Sequence, residues 1–469
     1  MNTNLLADKA RATLLSNDAQ NMLSLDLHQA QVNDLELLLG GAYSPLSGYL
    51  TQADYQSVCD SMRLQDGRLW PLPLSLEISK NLAGDITKED QIALRDPEGV
   101  LLAILSVEDV FEQDGKHLLG GMVEGITLPL HYDHPELRLT PATESTKPRV
   151  ALFSRDILHQ EELEAASQYA NAHGAGLLIQ SLDSGNDDIF GRIRCIKAAI
   201  TNSPVKDIQL SILPATAPSD AKGVLLQAII AANYGCSAIL SSADTSLVEQ
   251  HYEEISIKAA PLPEGSPDNI SPQVSAEFKK MNPPKDEQGF TVFFSGLSGS
   301  GKSTIANILR VKLLEHAARK VTLLDGDLVR KNLSSELTFS REHRNLNILR
   351  ISFVAGEITR HGGIAICAPI APYDDIRKQA RSLIGNYGGF ILIHVATPLE
   401  VCEARDRKGL YAMARAGKIS EFTGISDPYE PPEDAELTIQ TTEISAEQAC
   451  DQVIEYLEVQ GYLKSDRPG

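Results

Sequence analysis

T-V-F-F-S-G-L-S-G-S-G-K-S-T-I-A-N-I-L, residues 291–309, decides the fold of the last third of the chain. It opens with the apolar run Val292-Phe293-Phe294, which suits the end of a buried strand. Gly296-x-x-x-x-Gly301-Lys302-Ser303 follows, and then Ile305, Ile308, Leu309, Leu313 and Leu314 recur with helical spacing. Strand, glycine loop and helix are the parts of a phosphate-binding P-loop. Glycines let the loop turn its backbone N–H groups onto an anion, and the following helix aims its positive end there. The nucleotide site is therefore expected at Gly296, Ser298, Gly299, Ser300, Gly301, Lys302, Ser303 and Thr304. Lys302 can reach the terminal phosphates, and the Ser303 hydroxyl can ligate the Mg²⁺ that accompanies ATP.

Working outward, 469 residues exceed one ordinary core, so two to four domains are expected. The composition, 42% hydrophobic and 22% charged, is that of a globular protein, and no apolar run has the length of a membrane span. The N-terminus lacks a secretory pattern. Six cysteines, at 59, 195, 236, 367, 402 and 450, have no zinc-like spacing and read as reduced thiols, so a cytoplasmic protein is expected. A net charge of −21 argues against a nucleic-acid partner, though a few clustered arginines can still bind a small anion.

Residues 1–145 hold short apolar runs parted by turn signals. Gln91-Ile92-Ala93-Leu94 and Val100 to Leu105 flank Asp96-Pro97-Glu98-Gly99, a hairpin signal within a mostly β domain that has a helical start. From 148 to 258 strands alternate with helices: 149–153, 176–180, 208–213 and 238–240 against 160–172, 190–200 and 223–234. That alternation predicts a parallel α/β unit. Residues 259–288, dense in Pro, Ser and charge, read as a linker. The last domain, 289–469, alternates strands at 292–295, 321–325, 363–369 and 390–396 with amphipathic helices.

Its second strand ends in Leu323-Leu324-Asp325-Gly326-Asp327, with Arg330 one turn on. Ligands sit beyond the carboxyl ends of parallel strands, so either aspartate can serve the metal or take a proton from an attacking hydroxyl; a helix cap is the plainer reading.

Beyond this point the domain resembles the adenylylsulfate kinase family. The resemblance rests on G-L-S-G-S-G-K-S-T, D-G-D-L-V-R, F-S-R-E-H-R-N-L-N-I-L-R, I-A-P-Y and the long run T-P-L-E-V-C-E-A-R-D-R-K-G-L-Y through F-T-G-I-S-D-P-Y-E-P-P. It implies phosphorylation of the ribose 3′-hydroxyl of adenosine 5′-phosphosulfate by Mg²⁺-ATP. It also implies Asp327, Lys302 and Asp325 as catalytic residues, with Ser303 and Asp325 at the metal. Arg330, Phe339, Arg344, Asn347, Ile370, Ala371, Lys408 and Phe422 would form the acceptor site, and Arg405 would lie against the adenine of ATP. Arginine forks suit sulfate and phosphate oxygens, and aromatic faces suit a base. By likeness, a homodimer or higher homo-oligomer is expected. This chain departs from the family at His343 (usually Asp), Leu346 (Glu), Leu349 (Arg), Pro369 (Phe) and Ala371 (Ser). Ala371 has no hydroxyl to phosphorylate, which leaves direct in-line transfer.

The first 258 residues resemble ATP sulfurylase more loosely, through 34–50, 62–76, 95–99 and 233–236. That resemblance implies a PUA-like first domain and a nucleotidyltransferase-like second one. The family's paired-histidine motif is represented by Phe153 to Glu162, with Arg155 and His159 retained and Glu162 where the second histidine stands. A carboxylate there repels phosphates. Its later G-R-D-H-A-G run corresponds to Ser241 to Ser246. A degenerate, truncated sulfurylase half is expected. The alternatives are a chain with both activities, a nucleotide-gated regulatory protein, or a kinase for a related non-sulfate acceptor.

Overall fold

The computed structural model describes residues 4–464 apart from 142–147, 184–187, 202, 204, 206, 216, 217, 267, 268, 317, 318 and 339, and it leaves out the side chains of residues 188, 316 and 327. The chain forms two compact units, Met1–Met281 and Asn282–Gly469.

The first unit begins with a mixed sheet. Its strands are β1 (Leu23–Asp26), β2 (Gly48–Tyr49), β3 (Leu76–Ile78), β4 (Gln91–Arg95), β5 (Leu101–Gln113) and β6 (Lys116–Gly125). The order is β1-β4-β5-β6-β2, with β3 also on β6. The Asp96–Gly99 turn closes β4 onto β5 as its residues predict, with Gly99 N–H donating to Asp96 O at 2.9 Å and Asp96 N–H to Val100 O at 3.0 Å. Ile92, Leu94, Leu105 and Leu119 form one buried face. That face is continuous with the core beneath the helix Ala221–Asn233, whose Val224, Leu225 and Ala228 are buried.

A second sheet in the same unit is wholly parallel. It comprises β7 (Arg149–Ser154), β8 (Gly176–Leu182), β9 (Ile208–Leu213), β10 (Cys236–Ser241) and β11 (Lys258–Pro261), in the order β11-β10-β7-β8-β9. The helix Gln160–Ala172 lies where its periodicity puts it.

The linker expected at 259–288 is corrected here. Lys258–Pro261 is an edge strand in register with β10, from Ala238↔Lys258 to Ser241↔Pro261. Pro272–Met281 is an amphipathic helix whose Val274 is 1% exposed and shares a cluster with Ile157 and Cys195. Proline density misled because Pro272 sits at the first helical position, where the missing N–H costs nothing.

The second unit is a five-stranded parallel sheet. Its strands are β12 (Phe290–Ser295), β13 (Val321–Leu324), β14 (Ile364–Cys367), β15 (Gly389–Val395) and β16 (Leu437–Ile439), in the order β13-β14-β12-β15-β16. Every residue of β12 is buried, the reading expected of a central parallel strand. Phe290, Val292 and Phe294 face the core under helices Lys302–His316 and Ala446–Val459, while Phe293 faces the core under Arg341–Arg360 and Asp374–Gly385. The chain leaves β12 toward β13 and later returns on the other side to β15. The sheet therefore opens at the carboxyl end of β12, where ligands of such folds bind.

Candidate active site

At that end the loop 296–301 turns into the helix Lys302–His316. Gly299 has φ +74, a left-handed conformation that glycine reaches without strain. A Cβ on Gly296 would lie 2.6 Å from the Val395 carbonyl oxygen, so the loop presses closely on β15. Gly296 N–H donates to Ile370 O at 3.2 Å, and the Ser295 hydroxyl reaches Ile370 O, Ala371 O and the Tyr429 hydroxyl. These bonds hold the loop against segment 369–372.

The loop borders a cavity of about 650 Å³. Ser298, Gly299, Gly301, Lys302, Ser303, Thr304, Asp325, Arg330, Arg344, Asn347, Ile370, Ala371, Arg405 and Lys408 line it together. Gly296 and Ser300 lie in the loop but outside that lining. Asp327 is the second residue of the helix Gly326–Asn332, and its side chain lies outside the described structure. Phe339 lies outside the described residues altogether. Arg407 joins Lys302, Arg330, Arg344, Arg405 and Lys408 on the walls. A strongly acidic chain thus concentrates cations around one anion-sized space.

Lys302 is buried and folded onto its own loop, donating to Gly296 O at 2.8 Å, Leu297 O at 2.7 Å and Ser300 Oγ at 3.3 Å. Burial pulls its ammonium down to about 8, against the opposing pull of Cys402 and Asp325. Arg405 binds Thr441 O at 2.8 Å and Thr441 Oγ1 at 3.0 Å, beside the Gly299 and Ser300 carbonyls.

Arg344 is fixed by three side chains from distant segments, none of which was assigned a role of its own above. Its Nη1 donates to Thr423 Oγ1 at 2.8 Å and Asp427 Oδ2 at 3.0 Å, and its Nη2 donates to the Tyr373 hydroxyl at 2.8 Å. Tyr373 in turn donates to Asp427 Oδ2 at 2.7 Å. Burial first, and then that bond, push the Tyr373 phenol up to about 12. Arg344 Nε and the Oδ1 of buried Asn347 have no partner among the described residues. Asp427 lies within the quoted G-I-S-D-P-Y run, but its pairing spans 83 positions that no local period reveals.

Phe422 corrects an expectation. It does not line the cavity; its half-buried ring meets Tyr411 edge-on at 5.0 Å and packs with Leu297 and Cys402.

The parallel sheet open at its first strand, the glycine loop and the cationic cavity define a P-loop phosphotransferase, an ATP-dependent kinase. Comparison with known proteins extends this to the whole chain. Residues 1–129 match the PUA-like domain, 131–274 match ATP-sulfurylase and 288–440 match adenylylsulphate kinase. A sulfate adenylyltransferase of Phaeosphaeria nodorum is 34% identical over 555 aligned positions, covering 97% of both chains. The Mycosarcoma maydis enzyme of the same name is 34% identical over 561, covering 98% of both. A solved structure described as a hexameric APS kinase from Thiobacillus denitrificans superposes with a TM-score of 0.86 at 36% identity, over 99% of this chain and 98% of that one. The chain belongs to the sulfate adenylyltransferase family, in the form that joins a PUA-like domain, an ATP-sulfurylase domain and an adenylylsulfate kinase domain.

Proposed function

We propose that the chain transfers the γ-phosphate of ATP to the 3′-hydroxyl of adenosine 5′-phosphosulfate, giving ADP and 3′-phosphoadenosine 5′-phosphosulfate. The observation that carries this reading is one cavity whose wall brings the P-loop together with Asp325, Arg330, Arg344, Asn347 and Lys408. An anionic acceptor would find its countercharge on the guanidiniums of that wall.

In this reading Asp327 takes or orients the 3′-hydroxyl proton. The new O–P bond forms as the bond from the γ-phosphorus to the β-phosphate oxygen breaks. Lys302 swings from its loop carbonyls to the transferring charge. Ser303 and Asp325, both oxygen donors on the cavity wall, would hold Mg²⁺, which neutralises phosphate charge when bound. Arg330, Arg344, Asn347, Lys408 and the 370–371 backbone would grip the acceptor, with Phe339 at its base and Arg405 at the adenine of ATP. A coupled ADP-release assay tests this. Turnover should need adenosine 5′-phosphosulfate and fall at least about a hundredfold in Lys302→Ala and Asp327→Asn. No ADP release from the wild type with that acceptor ends the reading.

We read the first unit as sulfurylase-like and unable to adenylylate sulfate. Three observations support this. Glu162 Oε2 binds both the backbone N–H of His159, at 2.9 Å, and its Nδ1, at 3.0 Å. Gly265 lies so close that a Cβ would come 2.1 Å from that nitrogen, and Gln160 N–H donates to Asn269 O at 3.0 Å. The segment after β11 thus covers the motif. Finally, 555 aligned positions against 469 residues leave at least 86 positions of the Phaeosphaeria enzyme without a counterpart. Similarity along the full length to sulfate adenylyltransferases favours the second reading, in which both activities are present. ATP formation from adenosine 5′-phosphosulfate and pyrophosphate by the intact protein decides between them, and sustained turnover establishes the second. A hexamer, as described for the Thiobacillus protein, is the expected assembly and is checked by light scattering.

A further inference from the structure

Ala371, on the cavity wall, has φ +47, a left-handed conformation that glycine reaches freely but that crowds an alanine's Cβ against the following carbonyl oxygen. Strain of this kind persists only where the surroundings impose it, and it gathers at ligand sites. Here the carbonyls of the segment are gripped one after another. Ile370 O accepts from Gly296 N–H at 3.2 Å, and Pro372 O accepts from Glu430 N–H at 2.8 Å. Between them Ala371 O accepts from Arg377 Nη1 at 2.9 Å. The Ser295 hydroxyl is shared between Ile370 O at 3.0 Å and Ala371 O at 3.2 Å.

Arg377 is the fourth residue of the helix Asp374–Gly385 and is 1% exposed. Its Nη2 lies 3.3 Å from Oδ1 of half-buried Asp374, and its Nε has no partner among the described residues. Asp374 also meets Lys378 at 2.7 Å, so the aspartate is not reserved for Arg377. A buried guanidinium is costly, and one shared carboxylate does not account for it. Its shortest bond is the one to the strained residue. Arg377 is not itself part of the cavity wall and reaches it only through Ala371.

We propose that Arg377 is a positioning residue for the phosphate acceptor, a clamp on the Ala371 carbonyl that keeps Ala371 left-handed and so sets segment 370–372 on the cavity wall. The inference rests on the acceptor site assigned above. With the carbonyl released, Ala371 turns toward negative φ and the segment shifts. The glycine loop has holds of its own, the Tyr411 hydroxyl on Ser298 O at 2.9 Å and the Thr441 hydroxyl on Ser300 O at 3.0 Å, so the ATP side is largely spared.

The test compares wild type with Arg377→Met, which keeps the stem and drops the guanidinium, and with the same change made together with Ala371→Gly. KM for adenosine 5′-phosphosulfate should rise at least about tenfold in Arg377→Met while KM for ATP stays within about twofold. Adding Ala371→Gly should recover at least about threefold of that loss, because glycine keeps the left-handed conformation without a clamp. An unchanged KM for adenosine 5′-phosphosulfate, an equal rise in both constants, or no recovery from glycine overturns the proposal. Arg377→Lys, whose single ammonium still reaches one carbonyl, carries the same comparison where the methionine variant does not fold. Crystal structures of the variants give a readout that needs no turnover: φ of residue 371 should turn negative when the guanidinium is lost and stay positive in the double variant. That turn without any turnover of adenosine 5′-phosphosulfate by the wild type supports the clamp and counts against the acceptor assignment. A φ that stays at +47 without the guanidinium overturns the clamp.

Discussion

Lys302 shows what a single residue contributes and at what pH. Its folded-state pKa is lowered, to about 8, so the free site loses the ammonium as pH rises above that value, whereas phosphate oxygens hold it protonated. Nucleotide binding therefore takes up a proton above pH about 8, and KM for ATP should climb several-fold between pH about 7.5 and 9.5. Lys302→Arg, which stays charged, should show a flatter rise from a poorer starting value, measured by initial rates over that range. Asp427 offers a second case at this scale. Asp427→Asn keeps the shape but removes the charge that pairs with Arg344 across 3.0 Å, between side chains 11% and 12% exposed. KM for the acceptor should rise about tenfold, with KM for ATP within about twofold. An equal change in both constants would assign Asp427 to general stability. The glycine loop and the arginines were legible in the sequence because contiguous motifs carry them. The Arg344–Asp427 pair and the ring of Phe422 were not, because each depends on how segments far apart in sequence settle against one another.

Among the elements, those with a full period were read correctly. The helix Gln160–Ala172 and the central strand β12 have enough repeating apolar positions to declare themselves. Elements of three or four residues, such as β11 and β16, make no such pattern and owe their form to a neighbouring strand. The helix Pro272–Met281 was hidden by the prolines around it. It contributes to its unit by packing Val274 beside Ile157 and Cys195, with Glu277 3.2 Å from Arg194. Val274→Asp puts an unpaired charge at a site 1% exposed and should lower the stability of the first unit by at least about 3 kcal/mol. Urea unfolding followed by tryptophan fluorescence reads this directly, because the single tryptophan, Trp70, is buried in that unit. A midpoint unchanged by the substitution would mean that this helix adds nothing to the fold.

The molecule as a whole combines two units, and the cationic cavity described above belongs to the second. A ligand that binds the folded state alone stabilises it by about 2.7 kcal/mol at a hundred times its Kd. ADP should accordingly raise the unfolding temperature seen by circular dichroism for the second unit and leave the Trp70 transition in place. A matching rise at Trp70 would show that nucleotide also stabilises the first. Both parallel sheets reverse their direction of growth beside their own first strand, β7 in one unit and β12 in the other. The two frames differ in one connection, β7 lying beside the next strand β8 where β12 lies beside β14, and they differ in furnishing: glycines and guanidiniums around one opening, Glu162 and Gly265 against His159 in the other unit. Anyone wishing to seat a nucleotide in the quieter unit would begin by exchanging the side chains around His159.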